Sequence, residues 1–219
     1  GPQGGVSVSG TTVNTNYNLQ AVMVHTYFSP SGISFRSQAG LFLQDFDQNT
    51  VITTATGLNG SQSNVDQAAN IASFQNREPQ TDKGAFFQEE VNFQDRIIAT
   101  VGIRGDKSTN NGDENQIYYY PKANLAVNLH SFDFWSSSFI TQLKPRIAYG
   151  ETGRFANFID RFSVLEPTVI GGGSGLFPDI LRGNPDVEPE RQSELEFGVD
   201  FGFLDNRINI DATYYIKEI

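Results

Sequence analysis

Glu194-Leu195-Glu196-Phe197-Gly198-Val199-Asp200-Phe201-Gly202-Phe203 runs through Leu204-Asp205-Asn206-Arg207 into Ile208-Asn209-Ile210-Asp211-Ala212-Thr213-Tyr214-Tyr215-Ile216-Lys217. On the first arm Leu195, Phe197, Val199, Phe201 and Phe203 alternate with Glu194, Glu196, Gly198, Asp200 and Gly202. On the second, Ile208, Ile210, Ala212, Tyr214 and Ile216 alternate with Asn209, Asp211, Thr213, Tyr215 and Lys217. Strict period two means extended strands with one apolar and one wet face. The apolar set is odd-numbered on one arm and even-numbered on the other, so like faces like only if paired numbers sum to an odd value. A two-residue Asp205-Asn206 turn of type I′ supplies that register and pairs Phe203–Ile208, Phe201–Ile210 and Val199–Ala212.

The same alternation recurs upstream. Ile97, Ala99, Val101 and Ile103 share one parity, as do Ala123, Leu125, Val127 and Leu129. So do Leu143, Pro145, Ile147 and Tyr149, and Ile33, Phe35, Ala39, Leu41 and Leu43. Residues 11–28 and 84–93 carry weaker versions, and no stretch reads as a helix. In the 84–104 hairpin both apolar sets are odd, which demands a three-residue loop, and Gln94-Asp95-Arg96 provides one.

Connections alternate between short and long. Ser29-Pro30-Ser31-Gly32 is tight, residues 58–81 form a long Asn/Gln/Ser-rich loop, and Gln94-Asp95-Arg96 is tight again. Lys107 to Gln116 is longer, 131–139 is moderate, 151–190 is very long, and Leu204-Asp205-Asn206 is tight. An up-and-down membrane barrel has this rhythm, with short turns at one rim and long loops at the other. The expected fold is therefore all-β, an antiparallel up-and-down transmembrane β-barrel segment of about eight strands.

Composition narrows function. The chain has 219 residues, 15 Lys+Arg against 25 Asp+Glu for a net charge of −10, no Cys, and 38% apolar residues. Absence of Cys removes disulfide scaffolds, thiolate metal sites and Cys nucleophiles together. The acidic balance argues against a nucleic-acid partner, because phosphates call for Lys and Arg. No run of about 18 apolar residues is present for a transmembrane helix, and no signal-peptide pattern opens the chain.

Two features favour a membrane barrel over a soluble sandwich or lipocalin-like barrel. Tyr118-Tyr119-Tyr120 and Phe86-Phe87 sit where strands meet long loops, while Phe93, Phe132, Phe134, Trp135, Phe201 and Phe203 sit near short turns, as two interfacial belts. The polar face carries Arg104, Lys122, Lys144, Arg146, Glu194, Glu196, Asp200 and Asp211. Charges surrounded only by apolar neighbours cost several kcal/mol each, roughly, so this face is read as lining a wet lumen or meeting a polar plug. Glu89 breaks the pattern: its parity places it on the apolar face between Phe87 and Val91, which calls for a bulge or a position near an interface.

The remaining motifs weigh little. Gly171-Gly172-Gly173-Ser174-Gly175 follows no buried strand and opens no helix, so it reads as a flexible loop segment and not a phosphate cradle. Asp106 to Glu114 resembles a calcium loop only faintly, since Lys107 falls at the first ligand position, and a solvated acidic loop is the better reading. Asp45 and Asp47 near a strand end leave a shared cation open. His25 and His130 lie far apart without companions, so no metal pair is expected. No Gly-x-Ser-x-Gly elbow is present. Neither an active site nor a cofactor is expected, and the lumenal charges read most simply as solvated cross-strand ladders.

Gly183-Asn184-Pro185-Asp186-Val187-Glu188-Pro189-Glu190, with the strand and turn that follow it, closely resembles a signature of TonB-dependent outer-membrane transporters of the SusC/RagA type. Three further blocks resemble the same family: Arg96 to Asp106, Tyr120-Pro121-Lys122-Ala123-Asn124-Leu125-Ala126, and Lys144 to Gly153. The resemblance covers roughly residues 83–219, with Val187 and Glu188 standing where Leu and Lys are usual. It implies a barrel of about 22 strands, a plug, and a TonB box that couples uptake to the proton-motive force. It also implies a surface lipoprotein of the SusD type as lid, and import of oligosaccharides or peptides across the outer membrane of a Gram-negative bacterium.

Residues 1–219 are accordingly expected to be one partial barrel domain, an internal piece without plug or TonB box, with Gly1-Pro2 as a protease scar. The 58–81 and 151–190 loops are expected at the external mouth, with Arg154, Phe155, Phe158 and Arg161 as ligand or partner contacts. Two alternatives stay open: a complete small eight-stranded barrel with a structural or adhesion role, and a soluble β-barrel ligand-binding domain.

Overall fold

The computed structural model describes residues 4–163, 165–178, 180 and 182–219, so Gly1-Pro2, the expected scar, lies outside the described residues. The strands are β1 (Gly5–Phe28), β2 (Ile33–Leu58), β3 (Asn70–Phe93), β4 (Ile97–Ser108), β5 (Tyr118–Val127) and β6 (Ile140–Arg154). After one helical turn α1 (Phe158–Arg161) come β7 (Leu165–Ile170), β8 (Gly173–Pro178), β9 (Glu190–Phe203) and β10 (Ile208–Glu218). β1 to β6, β9 and β10 form one eight-stranded sheet in chain order, and β7 and β8 form a separate hairpin. The all-β, up-and-down antiparallel reading holds. No helix among the described residues is long and apolar enough to cross a membrane.

Two compact units divide the chain: Gly1–Asn18 with Gln44–Thr81, and Leu19–Leu43 with Asp82–Ile219. The first corrects the sequence reading. β2 runs to Leu58 and β3 resumes at Asn70, so the expected 58–81 loop shrinks to 59–69, containing a 3-10 turn at Val65–Gln67. Hydropathy could not reveal these strands because polar side chains populate both parities and pair with one another across the sheet. Thr12 bonds Thr50 at 3.0 Å, Thr53 bonds Ser73 at 2.9 Å, and Gln75 Nε2 donates to Asn49 Oδ1 at 2.8 Å. Asp45 and Asp47 lie inside β2 and not at a strand end, where Thr81 donates to Asp45 at 3.2 Å and Arg77 pairs with Asp47 at 3.4 Å.

In the second unit the register aligns whole rows. Val91, Ala99, Leu125, Ile147, Phe197 and Tyr214 stand side by side from β3 to β10, and the next apolar row is Glu89, Val101, Ala123, Tyr149, Leu195 and Ile216. Between them, on the other face, lie Glu90, Thr100, Asn124, Ala148, Glu196 and Tyr215. The apolar rows are open on a single-layered sheet, with Val101 58% and Phe197 44% exposed. Glu89 sits opposite Val101 in an unbroken register from Asp82 to Phe93, so no bulge turns it aside.

Period two also sorts the aromatic runs. Tyr119 and Phe87 lie exposed on the apolar face, whereas Tyr118, Tyr120 and Phe86 project from the polar one, so only one member of each run can serve the expected belt. The three-residue Gln94-Asp95-Arg96 loop closes Phe93 onto Ile97, with left-handed φ of 52° and 56° at Gln94 and Asp95. Phe203 pairs with Ile208 as expected. The turn is wider than type I′, however: Leu204 joins Asp205 and Asn206 in the left-handed region, at φ 53°, 58° and 60°. The 151–190 stretch holds α1 and the β7–β8 hairpin, whose turn is Gly171-Gly172 at φ 60° and 84°.

Candidate functional site

The polar face of the second unit is organised around Arg146. Its Nε lies 3.4 Å from Asp200 Oδ1, its Nη2 donates to Asp211 Oδ1 at 3.0 Å and to Thr213 Oγ1 at 2.6 Å, and its Nη1 pairs with Glu196. Lys144 Nζ adds a longer contact to Asp200 at 3.9 Å. The reach depends on a glycine. Gly198 stands directly opposite Arg146 on β9, and a Cβ there would come within 2.5 Å of the guanidinium carbon. With no side chain in the way, the arginine crosses β9 to β10. Asp200 and Asp211 are direct cross-strand neighbours, a repulsive juxtaposition that the shared guanidinium offsets.

Lys122 and Glu194 flank Gly150 in one row of the same face, and Glu194 stands opposite Lys217. Arg104 belongs to a second cluster. Its Nε holds Asp106 at 2.6 and 2.9 Å, and its guanidinium lies 4.4 Å from the Phe42 ring centre. Nearby, Arg191 pairs with Glu151 at 3.0 Å and stacks 5.7 Å from the Tyr120 ring, while Tyr149 donates to Glu151 at 2.6 Å. Tyr120 is buried over Gly153, where a Cβ would lie 1.9 Å from its hydroxyl oxygen, and that hydroxyl has no partner among the described residues. Together Arg104, Tyr120, Lys122, Glu151 and Phe155 border an open recess of about 530 Å³. Its guanidinium, carboxylate and aromatic faces suit hydrogen-bonding and stacking on a polar organic ligand.

Sequence reading found Arg104, Lys122 and Phe155 but missed Tyr120, Gly153, Glu151 and Arg191. The available signal was a tyrosine at polar parity on a strand whose neighbour carries a glycine near the same rim.

The four loop residues separate into two places. Arg154 ends β6 opposite Glu190 and is exposed, and Phe155 lines the recess. Phe158 packs at a tilt against Phe162, with ring centres 4.9 Å apart, and Arg161 donates to the Thr109 carbonyl, lies 3.7 Å from Glu114 and covers the Phe162 ring at 4.9 Å. Arg161 thus belongs to a clamp joining three connections. Asn184 donates from its backbone to Asp160 O at 2.7 Å, and Gly112 donates to Val187 O at 2.7 Å. Gly112 has no room for a Cβ, which would sit 2.4 Å from Pro185 O. The Gly183–Glu190 signature is therefore a packing device. The 106–114 segment is not a simple solvated loop either, because Ser108, Asn110 and Asn111 are buried beneath this clamp. Among the described residues no cluster of three or more His, Asp or Glu is placed to hold a metal ion.

These observations define a class: up-and-down β-barrel proteins whose strands carry one exposed apolar face and one charged face. A family model described as "TonB dependent receptor-like, beta-barrel" matches residues 2–219, and the chain belongs to that family. TonB-dependent receptor P39 of Formosa agariphila is 27% identical over 129 residues, covering 57% of this chain and 12% of that protein. TonB-dependent receptor P3 of the same organism is 26% identical over 139 residues, covering 59% and 14%. The structure of the RagAB peptide transporter superposes with a TM-score of 0.85 at 14% identity, over 96% of this chain and 24% of that one. The RagAB peptide importer in its open-open state gives 0.81 at 15% identity, with the same coverage. The chain thus spans about an eighth of the curated relatives and a quarter of the solved structures it matches.

Proposed function

We propose that this chain is a section of barrel wall from an outer-membrane transporter of the SusC/RagA type, in a Gram-negative bacterium, importing oligosaccharides or peptides. The observation that carries the reading is the pair of faces: apolar rows open along six strands, with charged rows between them on the reverse. In water such a sheet exposes apolar area that nothing covers; in a bilayer the same area is solvated by acyl chains. The family membership and the RagAB likeness support the transporter class.

In this reading β1 and β10, the edge strands of the sheet, pair with further strands of a larger barrel. A plug fills the lumen, and a TonB complex drives uptake. A SusD-like lipoprotein covers the mouth. The Arg146 network and the recess around Tyr120 face the plug or the passing substrate. Arg154, Phe155, Phe158 and Arg161 contribute to the external mouth as ligand or partner contacts.

The test is uptake by cells carrying or lacking the full-length gene. Labelled oligosaccharides and peptides are supplied with and without a protonophore, and membranes are fractionated in parallel. The reading expects the protein in the outer membrane, and uptake of one substrate class lost both on deletion and on collapse of the proton-motive force. A soluble protein, or uptake that ignores the protonophore, contradicts it. Arg161→Ala leaving uptake unchanged removes that residue from the mouth contacts.

A further inference from the structure

Lys83 on β3 and Lys107 on β4 stand directly opposite each other in the antiparallel register. Opposed side chains hold their Cβ atoms about 5 Å apart, and like charges so placed repel. Neither lysine forms an ion pair among the described residues. Both belong to the apolar face, in parity with Phe87 and Phe93 on β3 and with Val101 and Ile103 on β4. The carboxylates adjacent in sequence, Asp82 and Asp106, both have the parity of the other face, and Asp106 is held there by Arg104 at 2.6 Å.

Below the two lysines the face narrows to Ala85 opposite Gly105. A Cβ on Gly105 would lie 3.0 Å from Ile117 and 3.1 Å from Tyr119, so these two side chains close one side. The result is a small recess of about 110 Å³ bordered by Lys83, Gly84, Gly105, Asp106, Lys107 and Ile117, with the Asp106 carboxylate held by Arg104. Beneath it come the exposed Phe87 and Ile103. Lys83 lies ten residues along β3 from Phe93, beside the short turn. At about 3.3 Å per residue and a strand tilt near 40°, that is roughly 25 Å of height, the thickness of the apolar band around an outer-membrane barrel.

We propose that Lys83 and Lys107 bind a phosphate group on the headgroup of an outer-leaflet lipid, whose acyl chains lie along Phe87, Ile103 and Val101. The inference rests on the outer-membrane reading above. The anion offsets the repulsion that the register builds in, the notch at Ala85 and Gly105 gives it room, and the apolar rows beneath accept the chains. A free phosphate satisfies the first of these conditions but gains nothing from the last.

The experiment uses the full-length transporter purified in a neutral detergent and titrated with bis-phosphorylated lipid A, with bound lipid counted by native mass spectrometry. The wild type is expected to retain the lipid, and the K83Q/K107Q double variant to bind roughly 10–30-fold more weakly. K83R/K107R is expected to bind like the wild type. Dephosphorylated lipid A is expected to bind the wild type no better than intact lipid A binds the double variant. Millimolar inorganic phosphate is expected to leave the complex in place; if phosphate displaces the lipid and occupies the site equally well, a lipid ligand is overturned. Unfolding temperature supplies an independent sign. K83Q/K107Q should unfold at a higher temperature than wild type in lipid-free detergent, where the repulsion is unrelieved, and at a lower one with lipid A present. Equal lipid binding by wild type and double variant, or no inversion of the order of unfolding temperatures, overturns the site. Failure of the wild type to fractionate with outer membranes overturns the underlying reading instead.

Discussion

Arg146 concentrates the electrostatics of the polar face, because three carboxylates and one hydroxyl converge on a single guanidinium. Arg146→Ala leaves Glu196, Asp200 and Asp211 facing one another without the shared cation. The expected loss is about 1–3 kcal/mol, read as a lower unfolding temperature in detergent. Asp211→Asn in that background should recover part of it by removing one repelling charge; an unchanged unfolding temperature for Arg146→Ala reduces the hub to ordinary surface pairing. Gly153→Ala tests the aromatic contact, since the new methyl group meets the Tyr120 ring and hydroxyl. About 1–3 kcal/mol of destabilisation is expected, and Tyr120→Leu should mask most of it in the double variant, a coupling that denaturant titrations of the four proteins measure. Parity made Arg146, Glu196, Asp200 and Asp211 legible from the sequence as one face. Their pairing was not legible. It depends on how β6 registers against β9, and the long 155–189 connection between those strands imposes no register the way a tight turn does. Tyr120 over Gly153 was hidden because the 128–139 connection between β5 and β6 is also too long to impose a register.

Among the elements, the registers of the β3–β4 and β9–β10 hairpins were readable, though not the turn type at residues 204–206, because a two-fold period combined with a short loop leaves one register that keeps apolar against apolar. The far reaches of β2 and β3 were not. Asn49, Thr53, Ser73 and Gln75 give no hydropathy contrast, and the ordering comes from hydroxyl and amide pairs across strands. The clamp of the 109–116, 157–163 and 182–189 connections was legible only as a family signature, since backbone contacts make it. A Cβ at Gly183 would lie 2.4 Å from the Arg161 carbonyl group, so Gly183→Ala must push backbone against backbone. The expected result is faster limited proteolysis within all three connections, while cleavage within β4 to β6 stays slow. The β7–β8 hairpin behaves differently. It exposes Val169 and Phe177 and, among the described residues, pairs with no strand of the main sheet. Replacing residues 165–178 with a short Gly/Ser linker should leave the unfolding temperature of the sheet unchanged in detergent, and a marked drop would mean that the hairpin supports the sheet.

For the molecule as a whole, 38% apolar content and a net charge of −10 suit a water-soluble acidic protein as readily as a barrel wall. Arrangement decides between them. Concentrating the apolar residues at one parity leaves Val101, Ile103, Phe197 and Ile210 open to the surroundings on a sheet one layer thick, while Arg146 and its carboxylates occupy the reverse. In the proposed outer-membrane setting the apolar face meets hydrocarbon. Nitroxide scanning of Ile208 to Tyr215 in the full-length protein, reconstituted in a bilayer, tests this directly by comparing relaxation by oxygen with relaxation by a water-soluble nickel chelate. The account predicts oxygen maxima at Ile208, Ile210, Ala212 and Tyr214 and nickel maxima at Asn209, Asp211, Thr213 and Tyr215, in strict alternation. A flat profile, or nickel maxima at the isoleucines, would contradict it.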